Sequence, residues 1–471
     1  MIRIRESMTD MSGDRKADDD AAFTKAIEVV LATGKSDYPS YIGGLKVASG
    51  MSADVYSPID KTIIFGTCQE PEEGLADRAV TVAKEAFITW SETSVDERIA
   101  VFEKILSKIE QQRYRLAAMA SVSVGMDKVR SLNEVDTLID VIRKACADIK
   151  TEKGSPQGVW AILSAFNSPL ASPMGYAATA IIAGNTVVMV PSVHSTLPVY
   201  TMYRIFEDCG VPGGVLSIIT DSTNKMSSEL ANNMDITGIV ATGSGERLED
   251  LMFLQADEDL RFVNEVKGMN PIMVFKPSSM KEAAKTVLDA AFRFSGQLIN
   301  SCSKVVLVEG QQEEFLKCLL EEANSITITD PTDPKAYAGP IISEKKLKEF
   351  EDMLDSIKGN VVFGGKRVKD IMTENGPYVV PAIVMGLDDE HDLNNMDSAL
   401  PILSIQVASG VDDAIDIINC TEYGLSAGII TKDEAIAKRF KEEVDAENIF
   451  VNDRSKIPGA AFCATVDRFL D

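Results

Sequence analysis

From residue 159 onward the sequence falls into short apolar runs separated by helix-length segments. This alternation constrains the fold more than any other feature. The first run, VWAILSAF (159–166), is apolar at nearly every position. A strand with one wet face alternates in polarity, whereas a parallel strand covered on both faces does not. The segment 170–183 is small and apolar and stops at Gly184-Asn185, as a helix C-terminus does. A strand at 186–190, a helix at 198–208 closed by Gly210, a strand at 215–220, a further helix and a strand at 236–241 follow. Strands joined in this way form βαβ crossovers, the framework of a dinucleotide-binding parallel sheet. A second alternating block begins near residue 265, with strands expected at 273–275, 304–309, 402–407 and 427–431. Helices are expected between them at 281–294, 312–323 and 412–419. Two α/β domains with a ligand cleft between them are the natural outcome.

Ahead of these blocks the pattern is helical. Residues 74–90 place Val80, Ala83, Ala86 and Phe87 at helical spacing, and 94–111 opens with SVDE, a capping-box pattern. Gly154, Pro156 and Gly158 break the helical run. The expected organisation is a polar, partly disordered lead-in at 1–40 and a Rossmann-like cofactor-binding domain at 41–264. A catalytic domain at 265–445 and a return segment with a shortened tail at 446–471 complete it. The start carries no apolar core of a secretory signal, and no run is long enough to span a membrane.

Charge and rare residues narrow the chemistry. With 72 acidic against 47 basic residues the net charge is −25, which repels nucleic acid. Seven scattered cysteines without a CxxC pair argue for reduced thiols and a cytoplasmic setting. The two histidines, His194 and His391, have neither zinc-ligand spacing nor a GxSxG elbow. No metal site is expected, and serine hydrolysis is excluded.

A series of fragments runs in order along the chain: VYSPIDKTIIFGT, AFNSPL, AGNTVVMVPS, CGVPGGVLSII, ATGS, EVKGMNP, SGQ, GPIIS, NCTEYGLSAGIITKD and FVND. In order and approximate spacing they resemble the aldehyde dehydrogenase superfamily from about Tyr41 onward. The resemblance implies a Rossmann-type domain beside a second α/β catalytic domain, and oxidation of an aldehyde to an acid with NAD or NADP. In that chemistry a thiolate attacks the carbonyl, and an asparagine amide and a backbone N–H hold the oxyanion. Hydride then passes to the cofactor, and a glutamate activates water to hydrolyse the thioester.

Each role maps to one position. AFNSP puts Asn167 at the oxyanion donor, the plainer alternative being a turn cap before Pro169. EVKGMNP puts Glu265 at the general base, the alternative being a solvated strand-end carboxylate beside Lys267. In SGQLINSCSK, Gly296, Gln297 and Lys304 set a register that places Ile299 at the nucleophile. A hydrocarbon side chain cannot form a thiohemiacetal. Cys302 lies three residues on, a Cα displacement of about 10 Å if extended and about half that if coiled. It is either a recruited nucleophile on a rebuilt loop or a buried structural thiol.

The implied cofactor residues are Ser192, Gly243, Ser244 and Asp397. Around them Val190 and Val193 replace polar groups, Leu248 replaces a glycine, and Ala399 and Leu400 replace an aromatic and a glycine. NAD or NADP is therefore expected to bind weakly. The family's oligomerisation hairpin and tail look shortened, so a monomer or an atypical dimer is expected, acting on a small aldehyde or related metabolite. Two readings stand: a working dehydrogenase that uses Cys302, or a catalytically inactive member that binds a nucleotide, a metabolite or a protein.

Overall fold

The unbroken apolar runs form strands buried on both faces. The computed structural model describes residues 13–47, 51–223, 225–243, 260–266, 268–370, 373–395, 397–421, 424–453 and 464–471. The chain divides into two compact units, Ala22–Val266 with Ala460–Asp471, and Met1–Ala21 with Lys267–Gly459.

The strands of the first unit are β1 (Ser36–Tyr38), β2 (Ser40–Ile42), β3 (Leu45–Val47), β4 (Ser52–Tyr56), β5 (Ile64–Gln69), β6 (Val159–Leu163), β7 (Thr186–Val190), β8 (Leu216–Ile218), β9 (Ile236–Gly243) and β10 (Arg261–Val266). The main sheet has the order β10-β9-β6-β7-β8-β2-β3, and a small sheet has the order β1-β5-β4. From β10 to β8 all neighbours are parallel, while the short hairpin β2–β3 adds antiparallel to β8. From β6 the chain steps outward to β7 and β8, then returns to lay β9 on the other side of β6. That reversal leaves a crevice beyond the carboxyl ends of β6 and β9, where doubly wound sheets take ligands.

Helices cover this sheet. The helix Val95–Gln111 carries the capping box read in the sequence: Ser94 Oγ accepts from Glu97 N at 3.3 Å, and Glu97 Oε2 accepts from Ser94 N at 3.1 Å. Arg98, one turn in, is buried and donates through Nε to Ile182 O at 2.9 Å. It thereby places a cation at the C-terminal end of the helix Ala171–Ile182, where the helix dipole favours one. The polar lead-in also carries a helix, Gly13–Ala32, whose Phe23, Ile27 and Val30 join the core of this unit. Its low apolar content hid this from the sequence, because three residues at helical spacing are enough to dock it.

The C-terminal residues close the same unit. Phe469 is fully buried with its ring 4.5 Å from that of Trp160, in edge-to-face contact. Asn185, from the AGNT fragment, accepts from Gln157 N and Gly158 N and donates to Phe469 O at 2.8 Å. One carboxamide thus ties the start of β6 to the end of the chain.

The second unit repeats the principle with β11 (Ile272–Val274), β12 (Lys304–Val308), β13 (Val361–Phe363), β14 (Lys366–Arg367), β15 (Val379–Val380), β16 (Ala382–Met385), β17 (Ile402–Ala408), β18 (Ser426–Ile430) and β19 (Asn448–Val451). The sheet order is β13-β16-β17-β12-β11-β18-β19, parallel except at β13. The helices Met280–Phe292 and Gln312–Ala323 cover one face, and Val411–Asn419 and Glu434–Glu443 the other. One boundary departs from the sequence reading. The helix expected at 281–294 ends at Phe292, and Phe294, Ser295 and Gly296 then take φ values of 53°, 52° and 69°. Helical periodicity cannot reveal such a reversal, since the partners that hold it lie elsewhere in the chain.

Among the described residues no helix is long and apolar enough to cross a membrane. Phe469→Ala should destabilise the first unit by about 3–5 kcal/mol, as removal of a buried aromatic does. Both tryptophans, Trp90 and Trp160, are buried in that unit, so a lowered urea midpoint in tryptophan fluorescence checks it.

Candidate active site

In the first unit, the loop after β6 and the end of β9 are joined at the point where the strand order reverses. Ala165 N donates to Thr242 Oγ1 at 3.0 Å. Gly243 has φ 137°, and a Cβ there would lie 3.1 Å from the Ala165 Cβ. Both the backbone conformation and the close approach demand glycine. Asn167 follows on the same loop. It is only 6% exposed, yet its carboxamide makes no hydrogen bond among the described residues. It therefore caps no turn among the described residues.

The turn that carries Asn167 is fastened by a residue far away in sequence. Glu134, on the helix Lys128–Asp148, accepts from Ser168 Oγ at 2.9 Å, Leu170 N at 3.2 Å and Ala171 N at 2.9 Å. Leu170 supplies no side-chain cap to the helix Ala171–Ile182, so the carboxylate satisfies that N-terminus instead. Burial pushes the Glu134 carboxyl upward, against the Ala171, Ser168 and Leu170 donors that pull it down.

Glu265 is 1% exposed and sits on β10 in register with Thr242, so it is not a solvated strand-end carboxylate. Lys267, Ser244 and Leu248 lie outside the described residues. At the end of β7, Val190 is buried, Val193 packs against the core, and the Ser192 hydroxyl caps nothing. His194 stands beside them with its ring edge-on to Phe166 at 6.4 Å, and burial pushes its pKa down to about 4. The imidazole is neutral at physiological pH. The groups at this end of β7 are hydrocarbon and aromatic rather than charged.

In the second unit the segment 294–303 makes a buried loop. Its first part is the left-handed reversal, with Gly296 packed so closely that a Cβ would lie 3.0 Å from Ala291 O. Ser295 Oγ donates to Gly339 O at 2.7 Å. Gln297 donates to Phe294 O and Pro340 O and accepts from Ile342 N at 2.8 Å. The SGQ and GPIIS fragments are therefore one interlocked piece. The middle of the loop is held by Asn270, whose Nδ2 lies 2.9 Å from Ile299 O and 3.0 Å from Ser301 O. Ile299 is buried, and the N–H groups of Leu298 and Ile299 have no partner among the described residues.

Cys302 points elsewhere. It is 2% exposed, belongs to the apolar core beneath the helix Met280–Phe292, and donates its thiol to Lys304 O at 3.0 Å. Asp397 accepts from Ser303 Oγ at 2.6 Å and from Ala399 N at 3.2 Å, so both carboxylate oxygens are engaged within this unit. Lys304 is fully buried on β12, donates to Ile417 O at 3.3 Å, and is pushed down to about 8, chiefly by burial.

The sequence profile of the aldehyde dehydrogenase family matches residues 46–462. The chain belongs to the aldehyde dehydrogenase family. Among its relatives, the alpha-ketoglutaric semialdehyde dehydrogenase of Bacillus subtilis is 27% identical over 446 residues, covering 90% of this chain and 91% of that protein. The 1-pyrroline-5-carboxylate dehydrogenase of Geobacillus sp. (strain WCH70) is 25% identical over 455 residues, covering 92% and 88%. A point mutant of 1-pyrroline-5-carboxylate dehydrogenase from Thermus thermophilus has a TM-score of 0.92 at 21% identity, covering all of this chain and 98% of that one. A Thermus 1-pyrroline-5-carboxylate dehydrogenase with bound NAD gives 0.91 at 20% identity, with the same coverage. At these identities the structural likeness speaks for the fold.

Within the aldehyde dehydrogenase fold, sequence reasoning missed Glu134 and Asn270. Glu134 sits on an amphipathic helix whose pattern reads as packing alone. Asn270 stood inside a quoted fragment, but only its contacts reveal what it holds. No group of three or more His, Cys, Asp or Glu among the described residues is placed to hold a metal ion.

Glu134→Ala should cost about 3 kcal/mol, because it leaves buried donors unpaired. The folded-state pKa lies above the unfolded value, so the native state holds this proton more tightly. Its stabilising contribution is full below about pH 4.5 and declines as pH rises toward the folded value. Urea unfolding at pH 4 and pH 8 should give the larger loss at pH 4.

Proposed function

We propose that this chain keeps the carbonyl-binding scaffold of its family and does not oxidise aldehydes through a thiol. One observation carries the reading: residue 299, in the nucleophile register, is a buried isoleucine on a fastened loop. The thiol of Cys302, three residues on, is directed into the core and donates a hydrogen bond to Lys304 O. Bringing that sulfur to position 299 means breaking the Cys302 N–H bond to Ala290 O and the Ser303 N–H bond to Met269 O. A nucleophile about 1 Å out of place already costs roughly a hundredfold in rate.

What remains suits binding. In the first unit the Asn167 carboxamide has no hydrogen-bond partner among the described residues, and a carboxamide of this kind can donate to a carbonyl or carboxylate oxygen. Glu265 remains as well. The described residues do not fit a firmly held NAD or NADP. Val190 and Val193 offer no partner to ribose hydroxyls, Asp397 is engaged by Ser303 and Ala399, and the neutral His194 brings no charge to a phosphate. The relatives' names suggest a small semialdehyde, or the cyclic imine acid 1-pyrroline-5-carboxylate, as the ligand class.

With alpha-ketoglutaric semialdehyde or 1-pyrroline-5-carboxylate and either NAD or NADP, no absorbance should grow at the reduced-nicotinamide band. Calorimetry should detect saturable binding of one of these compounds, weakened about tenfold by Asn167→Ala, the loss of one oriented hydrogen bond. Turnover that disappears in Cys302→Ser would establish the opposite reading, a working dehydrogenase with a recruited thiol.

A further inference from the structure

The path of the loop around residue 299 is set from outside the loop. Asn270 lies in the short connection between β10 and β11 with φ 48°, a left-handed conformation that asparagine tolerates better than most residues. It is 4% exposed and fully engaged. Its Nδ2 donates to Gly268 O at 2.6 Å, Ile299 O at 2.9 Å and Ser301 O at 3.0 Å, and its Oδ1 accepts from Ser426 Oγ at 2.6 Å. One residue earlier, Met269 O accepts from Ser303 N at 2.8 Å. Residues 269 and 270 therefore meet the loop at 299, 301 and 303, while Ser301 N closes the turn onto Leu298 O at 3.0 Å. The Ile299 side chain makes none of these bonds. With the carbonyls at 299 and 301 drawn to Asn270, the N–H groups of Leu298 and Ile299 are left without an acceptor among the described residues.

We infer that Asn270 is a positioning residue that orients the main-chain N–H at position 299 as an oxyanion donor, whatever side chain that position carries. The inference rests on the nucleophile register assigned to position 299 above. An amide is required because its two N–H groups are shared among three carbonyls while its oxygen accepts from the Ser426 hydroxyl. Aspartate has the same shape and cannot donate. Alanine does neither.

The test supplies the missing sulfur. In full-length Ile299→Cys, the introduced thiolate attacks the carbonyl carbon of 4-nitrophenyl acetate and a C–S bond forms. The C–O bond to 4-nitrophenolate breaks, the phenolate leaves with the electron pair, and the thiol proton goes to buffer. This reaction passes through an oxyanion. Alkylation by iodoacetamide, in which sulfur displaces iodide, does not. Peptide mapping reads both rates at position 299, with the exposed Cys420 as internal control.

Relative to Cys420, adding Asn270→Ala or Asn270→Asp should slow acetylation at position 299 by at least about tenfold. Alkylation should change by less than about threefold, since exposure of the sulfur is not at issue. A residue that only stabilised the fold would lower the melting temperature and leave the ratio of the two reactions unchanged. If the Asn270 variants do not fold, Ser426→Ala decides: a fall of about threefold in that ratio supports the inference, and an unchanged ratio overturns it. Fast acetylation in the parent that is indifferent to Asn270 defeats this inference alone. An introduced thiol acetylated no faster than Cys420 removes the register assignment, and the inference with it.

Discussion

A buried peptide carbonyl must find a donor, and at residues 299 and 301 the only donor within the described structure is the carboxamide of Asn270. The shape of the second unit near its candidate site follows from that requirement. The left-handed run at Phe294, Ser295 and Gly296 turns the chain out of its helix, and Gln297 locks the turn to Pro340 and Ile342. Asn270 and Met269 then carry the chain into β12 through bonds at 299, 301 and 303. Every one of these contacts is made by main chain or by residues other than 299. The loop therefore has the same reason to exist with isoleucine as with cysteine.

The first unit shows the same separation of architecture from chemistry. Asn167 is held by a turn whose N–H groups end on Glu134, a buried ionisable group. Three donors converge on it and oppose the desolvation, which still outweighs them and raises its pKa. Where the fold needs a hydrogen bond the residue is present, and where the resemblance implies chemistry the residue is often hydrocarbon, as at Val190, Val193 and Ile299.

Much of this was legible in the residues themselves. Apolar runs without alternation marked the parallel strands β6, β7, β8 and β9 and then β11, β12, β17 and β18, while β13 to β16 went unread, and SVDE marked a helix start that the structure reproduces bond for bond. The order of fragments identified the family. The helix Gly13–Ala32 was not legible, because a sparse apolar stripe in a charged segment looks like disordered chain until there is a groove to receive it. The early end of the helix at Phe292 was hidden for a related reason. Residues 293 and 294 continue a helical pattern, and the contacts at 339–342 that reverse the chain lie more than forty residues away.

The sequence alone determined the class of fold, the family, and the hydrocarbon residues at Val190, Val193 and Ile299. These depend on residue identity and spacing, which are local. Only the tertiary structure decided where Cys302 directs its sulfur, that Asp397 is engaged by Ser303, and that Asn270 and Glu134 hold the two turns. Hydrogen bonds are short and directional, so their partners are known only after distant segments have been brought within about 3 Å of one another.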